Sequence, residues 1–147
     1  MAAVKPAPAK ARKKEESNLL AQIRLKFGAR PDILMVRINT GVFDAKGGYK
    51  VRSAPNGYGD LQLVQRRRVW RKVTRGVNSF MPHDEESWFY YGQAIYIETK
   101  TTKGKMTKDQ INFMNAAMAV GAEYILARCM EDVEDALGSV PEWCARG

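Results

Sequence analysis

Two short stretches carry residue types that can do chemistry together. Gly59-Asp60-Leu61 places a carboxylate at the end of a glycine turn, and Ile97-Glu98-Thr99-Lys100 places a carboxylate and an amine two residues apart in a strand-like run. Alternate residues of a strand project to the same face, so Glu98 and Lys100 point the same way and Ile97 and Thr99 the other. Oxygens of Asp60 and Glu98 suit a hard cation, and the Lys100 ammonium suits an attacking water or a charged phosphate. The chemistry this implies is metal-assisted phosphodiester hydrolysis. Each residue alone has an ordinary explanation: Asp60 closes a turn, Glu98 and Lys100 make a solvent-facing pair, and Gln110 completes a capping box with Thr107. Glu16 alone is an acidic residue in a first helical turn.

The elements that must position these groups are set by periodicity. Leu19, Leu20, Ile23 and Phe27 recur at helical spacing from Glu15 onward, with Gly28 as terminator. Ile33 to Ile38 reads as a buried strand, Asp60 to Gln65 as a second and Ala94 to Lys100 as a third. Turns are expected at Asn39-Thr40-Gly41, Lys46-Gly47-Gly48 and Asn56-Gly57-Tyr58-Gly59. A helix capped by Thr107 presents Ile111, Met114, Met118 and Ala122 on one face and stops at Gly121. Tyr124 to Ala127 is a last core strand, and Glu131 to Leu137 a short helix. The order helix, three strands, helix, strand, helix gives a mixed α/β sandwich with a small sheet. The Arg- and aromatic-rich stretch between Gln65 and Ala94 has no helix or strand assignment; its aromatic residues are expected to cover one edge of the core or, with Trp70, Tyr90 or Tyr91, to stack on unpaired bases, and Arg66 to Arg75 with Trp70 to form a flexible hairpin that grips the strand beside the cut.

A chain of 147 residues supports one domain with tails. Its formal net charge of +8 favours a polyanionic partner, nucleic acid before others. The charge gathers in two places, residues 1–14 (Lys5, Lys10, Arg12, Lys13, Lys14) and 66–75 (Arg66, Arg67, Arg68, Arg71, Lys72, Arg75). The first reads as a mobile arm or a solvated tail, the second as a phosphate-contacting segment or a solvated loop. Cys129 and Cys144 lack the spacing of a zinc site, and the sole histidine, His83, has no supporting partners in sequence. With no apolar signal core and no membrane-length apolar run, the expectation is a soluble, cytoplasmic protein.

Taken together, a helix bearing Glu16, then Arg37-Ile38-Asn39-Thr40-Gly41, Gly57-Tyr58-Gly59-Asp60-Leu61, Ile97-Glu98-Thr99-Lys100, Gly104-Lys105 and Gln110 resemble the VRR-NUC group of the PD-(D/E)xK nuclease superfamily. The resemblance covers residues 15–137. It divides the chain into a basic arm (1–14), a nuclease domain (15–138) with an insertion at about 65–93, and a tail (139–147). It implies a restriction-endonuclease-like core, a small mixed central sheet flanked by helices. By the same resemblance Asp60, Glu98 and the Thr99 carbonyl would bind Mg²⁺ or Mn²⁺, with Glu16 completing the site and Glu15 as its alternative one register away. Lys100 would be the active-site lysine and Gln110 the glutamine beside it. Arg37, Arg66, Arg67, Arg68, Arg71, Lys72, Lys103 and Lys105 would contact the nucleic acid. The implied activity is endonucleolytic cleavage of branched or structured DNA by a homodimer, in a bacterial or phage-infected host cell. A non-catalytic nucleic-acid-binding module and a nuclease acting on RNA are the alternatives. One departure stands out: many superfamily members carry proline before the first acidic residue, whereas this chain has Gly59.

Overall fold

Leu61, Leu63, Ile95 and Ile97 alternate along two strands and are all fully buried. One sheet face is therefore the core. In the computed structural model, which describes residues 9–38, 42–52, 54–75 and 83–145, those strands are β4 (Leu61–Arg75) and β5 (His83–Thr99). β1 (Ile33–Arg37) pairs antiparallel with β4, β4 antiparallel with β5, and β5 parallel with β6 (Glu123–Ala127), giving the order β1-β4-β5-β6. β2 (Val42–Ala45) and β3 (Tyr49–Arg52) form a separate antiparallel hairpin across the Lys46-Gly47-Gly48 turn. The four described helices are α1 (Ala9–Phe27), α2 (Lys108–Ala119), α3 (Met130–Leu137) and α4 (Glu142–Ala145). The described chain is thus mixed α/β, with a four-stranded mixed sheet.

Ile23 and Phe27 of α1 and Val133 and Leu137 of α3 join the buried face of the sheet in a single cluster with Ile33, Ile125 and Ala127. Each fully buried aliphatic side chain of this kind contributes about 1.5–3 kcal/mol. The opposite face is covered by α2, whose Phe113 ring lies 4.7 Å from Tyr58, 5.1 Å from Tyr96 and 6.4 Å from Tyr124, centroid to centroid. Tyr96 and Tyr124 alternate with the core residues of β5 and β6, so α2 sits on the far side from α1 and α3. At the edge of the core, Asp32 is buried and held by the Arg30 guanidinium (2.9 and 2.8 Å) and by the Gln65 amide (3.1 Å), which also donates to the Leu137 carbonyl. Burial opposes ionisation of Asp32, yet the hydrogen bonds from Arg30 and Gln65 hold its pKa below the ordinary value.

Several expectations change. Lys10, Arg12, Lys13 and Lys14 are helical, because α1 begins at Ala9 rather than Glu15; alanine, lysine and arginine are strong helix formers and no breaker separates them from the amphipathic run. The unassigned stretch after Gln65 continues both strands, with pairing out to Arg75 opposite His83. Its arginines hide the period-two pattern, while Val69, Trp70, Val73, Trp88, Phe89 and Tyr90 supply the β preference. In α2 the inward residues are Gln110, Phe113, Met114 and Ala117, so Met114 keeps its expected side while Ile111 and Met118 are exposed; the aromatic cluster around Phe113 shifts the face away from those two. The segment after residue 138 is not a plain tail, since α4 packs Trp143 against Tyr90 at 5.4 Å. Residues 1–8 with Lys5, the Asn39-Thr40-Gly41 turn, and Phe80-Met81-Pro82 lie outside the described residues. Among the described residues no helix is long and apolar enough to cross a membrane.

Candidate active site

Asp60 and Glu98 meet because of strand register. Leu61 pairs with Ile97, so the next step outward sets Asp60 beside Glu98 where β4 begins and β5 ends. The turn before Asp60 fits only without side chains: a Cβ on Gly59 would stand 2.8 Å from the Ile97 carbonyl oxygen, and one on Gly57, at φ +78°, would run into the Asp109 carbonyl of α2. Glycine at position 59 is therefore a packing requirement of this chain. Asp60 Oδ2 accepts the Thr99 amide at 2.8 Å and the Thr99 hydroxyl at 2.6 Å, and the Asp60 carbonyl accepts the Ile38 amide at 3.2 Å. A side-chain oxygen, rather than a backbone carbonyl, thus answers the last amide of β5.

Glu98 is 3% exposed, and one oxygen, Oε1, accepts both the Lys100 ammonium at 2.6 Å and the Gln110 side-chain amide. Burial first, then the charge of Asp60, push its pKa up to about 7 from an ordinary 4.5; Glu16 adds to the rise and Lys100 opposes it. Lys100 is fixed at its backbone by the Ala127 carbonyl at 2.9 Å. Gln110 makes two contacts at once. Its Oε1 accepts the Thr107 amide at 2.9 Å in a complete capping box while its Nε2 reaches Glu98.

Glu16, not the exposed Glu15, turns toward this end of the sheet, where its Oε1 accepts the Thr101 amide at 3.2 Å. Arg128 donates to the Thr101 and Thr102 carbonyls, so the loop after β5 is clamped from α1 on one side and from the junction of β6 and α3 on the other. Among the described residues no group of three or more His, Cys, Asp or Glu side chains stands close enough to hold a metal ion. Asp60 and Glu98 stand beside each other at the start of β4 and the end of β5, and Glu16 serves the neighbouring loop. Thr99 meets Asp60 through its amide and hydroxyl, both donors.

The basic residues divide into separate groups. Arg37 is exposed at the end of β1 opposite Leu61, one column from Asp60, and Lys103 and Lys105 are exposed on the clamped loop. Arg66, Arg67, Arg68, Arg71 and Lys72 lie along the outer half of β4. Arg67 is committed within the chain, its Nη2 on Glu123 Oε2 at 2.9 Å and its Nε on Gln65 at 3.1 Å.

Two tyrosines near the site carry no signal of their own in the sequence. The Tyr124 hydroxyl is buried without a hydrogen-bond partner, and burial, Glu98 and Asp60 all raise its pKa. Tyr58 donates to Gln62 at 2.8 Å and packs edge-on against Tyr96 at 5.2 Å. Strand parity is the one pointer to this side of the sheet, since Tyr96 and Glu98 share one face of β5. The chain matches no protein-family model, and it has no significant match among curated proteins or among solved structures.

Proposed function

We propose that this chain is a divalent-metal-dependent endonuclease with a restriction-endonuclease-like core, acting on branched or otherwise structured DNA. The observation that carries the reading is the convergence of Asp60, Glu98, Lys100 and Gln110 at one end of the central sheet, with Glu98 buried and its ionisation opposed. A buried carboxylate beside a second carboxylate is relieved by a cation, and Mg²⁺ binds well to one or two carboxylates when it keeps waters and substrate phosphate oxygens. Asp60 and Glu98 would hold Mg²⁺ or Mn²⁺. Once bound, the ion supplies a water of lowered pKa and offsets charge on the phosphate. Gln110 orients the Glu98 carboxylate, and Lys100, released from Glu98, presents its ammonium to the phosphate oxygen on which charge develops. Arg37, Lys103 and Lys105 flank the site and suit the phosphates on either side of the cut.

The choice of branched DNA, and of a homodimer, rests on the resemblance to VRR-NUC nucleases. Leu34 and Val36 on the edge strand β1 are 67% and 50% exposed, apolar area that a second copy would cover. The reading is tested with a panel of linear, flapped, single-stranded and four-way DNA in Mg²⁺, Mn²⁺ or EDTA: metal-dependent internal cleavage supports it, and intact DNA throughout rejects it. A second reading, a nucleic-acid-binding module without cleavage, is favoured by the Arg-rich outer half of β4, and it predicts binding indifferent to chelator.

A further inference from the structure

Beyond Gln65 the β4 strand has lost β1, and before Ile95 the β5 strand has not yet gained β6. Residues 66–75 and 83–92 pair only with each other among the described strands. A two-stranded ribbon of this kind is marginal in water on its own strand pairing. What it carries is unusual for a bare ribbon: Trp70 is 49%, Trp88 45% and Tyr90 50% exposed, and Trp70 stands opposite Trp88 with ring centroids 5.2 Å apart. Cations lie over these rings. The Arg68 guanidinium is 4.1 Å from the Trp88 centroid and 5.1 Å from Trp143, and that of Arg66 is 4.7 Å from Tyr90 and 5.4 Å from Trp143. β4 contains no acidic residue.

We infer that this ribbon is a stacking platform for an unpaired nucleic-acid strand, whose bases lie on Trp70, Trp88 and Tyr90 and whose phosphates meet Arg66 and Arg68. Half-exposed rings with guanidinium groups over them match the two chemistries of a single strand, flat bases that take the place of the guanidinium groups on the rings and a polyanionic backbone that receives those groups. A duplex offers the same phosphates but keeps its base faces stacked inside, so it leaves the rings unused. Within the ribbon part of β5 the acidic residues are Asp84, Glu85 and Glu86, all toward its far end, with Glu86 opposite Lys72. The surplus of positive charge is therefore in the half that also bears Tyr90 and Trp88. Along β5, Trp88 is ten positions from Glu98, about 30 Å at strand rise. The platform would hold unpaired nucleotides well away from the cut. It deepens the nuclease reading by naming the kind of strand held, and it rests on that reading only for the cleavage step after binding.

All three tryptophans of the chain, Trp70, Trp88 and Trp143, belong to this surface, so selectively excited tryptophan emission reports on it alone. The experiment is a titration of the full chain, in EDTA, with oligo(dT), oligo(U) and a blunt duplex of equal length. Single strands should quench tryptophan emission and bind more tightly than the duplex, and Trp88→Ala should weaken that binding between about 5-fold and 150-fold. Trp88→Phe should retain most of the affinity, and circular dichroism should show both variants folded. Preference for oligo(dT) or oligo(U) assigns the strand as DNA or RNA, and the platform stands in either case. Equal affinity for duplex, no response to any oligonucleotide, or unchanged binding by folded Trp88→Ala overturns it. Quenching that persists in a protein unable to cleave any DNA with Mg²⁺ removes the nuclease reading and leaves the platform in place.

Discussion

The Gln110 side chain joins the cap of α2 to the carboxylate of Glu98: its oxygen accepts the Thr107 amide at 2.9 Å while its nitrogen donates to Glu98 Oε1. The two uses separate on substitution. Gln110→Glu keeps an acceptor for the capping box but replaces the donor to Glu98 with a like charge. Helix content at pH 5 should be unchanged by circular dichroism, and DNA cleavage at pH 7.5 should fall by about 10-fold, the scale of roughly 1.4 kcal/mol. Wild-type cleavage in that variant would show that the amide serves only the cap.

Glu98 sets a pH dependence whose sign is fixed by its raised pKa. Below about 4.5 the group is neutral in both folded and unfolded chains; between 4.5 and about 7 the unfolded chain ionises while the folded one keeps its proton, so stability falls with rising pH. Above pH 7 the loss is complete and on the order of 3 kcal/mol. Asp32 and Asp132, whose pKa values are lowered, work in the opposite sense. The effect is therefore read as a difference. Glu98→Gln should gain on wild type in Tm as pH rises from 4.5 to 8, and Mg²⁺ should raise the wild-type Tm at pH 8 more than at pH 5. Parallel Tm curves for the two proteins would contradict the account.

Gly59 is a steric gate for Asp60. A methyl group there meets the Ile97 carbonyl oxygen, a backbone atom that yields only if β5 moves. Gly59→Ala should cost about 1–3 kcal/mol in urea unfolding and reduce cleavage further than the lost stability explains, because Asp60 is carried with the turn. A Gly59→Ala protein with normal stability would show that the turn relaxes freely.

Lys100 is the group whose removal should separate binding from chemistry. Lys100→Ala should lower the cleavage rate by about 100-fold to 1,000-fold, the scale of a preorganised donor to developing charge, while DNA affinity stays within a few-fold. Equal losses in rate and affinity would reassign Lys100 to phosphate binding.

How much of the molecule is legible in its sequence depends on the kind of signal. The capping box at Thr107 and Gln110, the apolar spacing of Ile23 and Phe27, and the alternation of Leu61 with Leu63 each express a local rule, and each appears in the structure as read. Glu98 and Lys100 are legible as a pair because strand parity alone brings two residues to one face. The ribbon beyond Gln65 is not, since arginine at Arg66, Arg67 and Arg68 erases the apolar period while their cross-strand partners Gly92, Tyr91 and Tyr90, far off in the chain, supply the pairing. The α2 face is legible only at Met114, and Ile111 and Met118 are misplaced for a related reason: Phe113 is selected by Tyr58, Tyr96 and Tyr124, none of them on its own helix. Glu16 is legible as the acidic residue of α1 that reaches this end of the sheet, where its Oε1 accepts the Thr101 amide and its charge acts on Glu98.

The most direct measurement is cleavage of a branched DNA panel by wild type and Glu98→Gln, each with Mg²⁺, Mn²⁺ and EDTA. Internal cuts by the wild-type chain with either metal, none in EDTA, and a loss of at least about 100-fold in Glu98→Gln are the predicted result. Undamaged DNA under every condition, or equal cutting by the two proteins, would contradict the claim that Asp60 and Glu98 form a metal-dependent catalytic site.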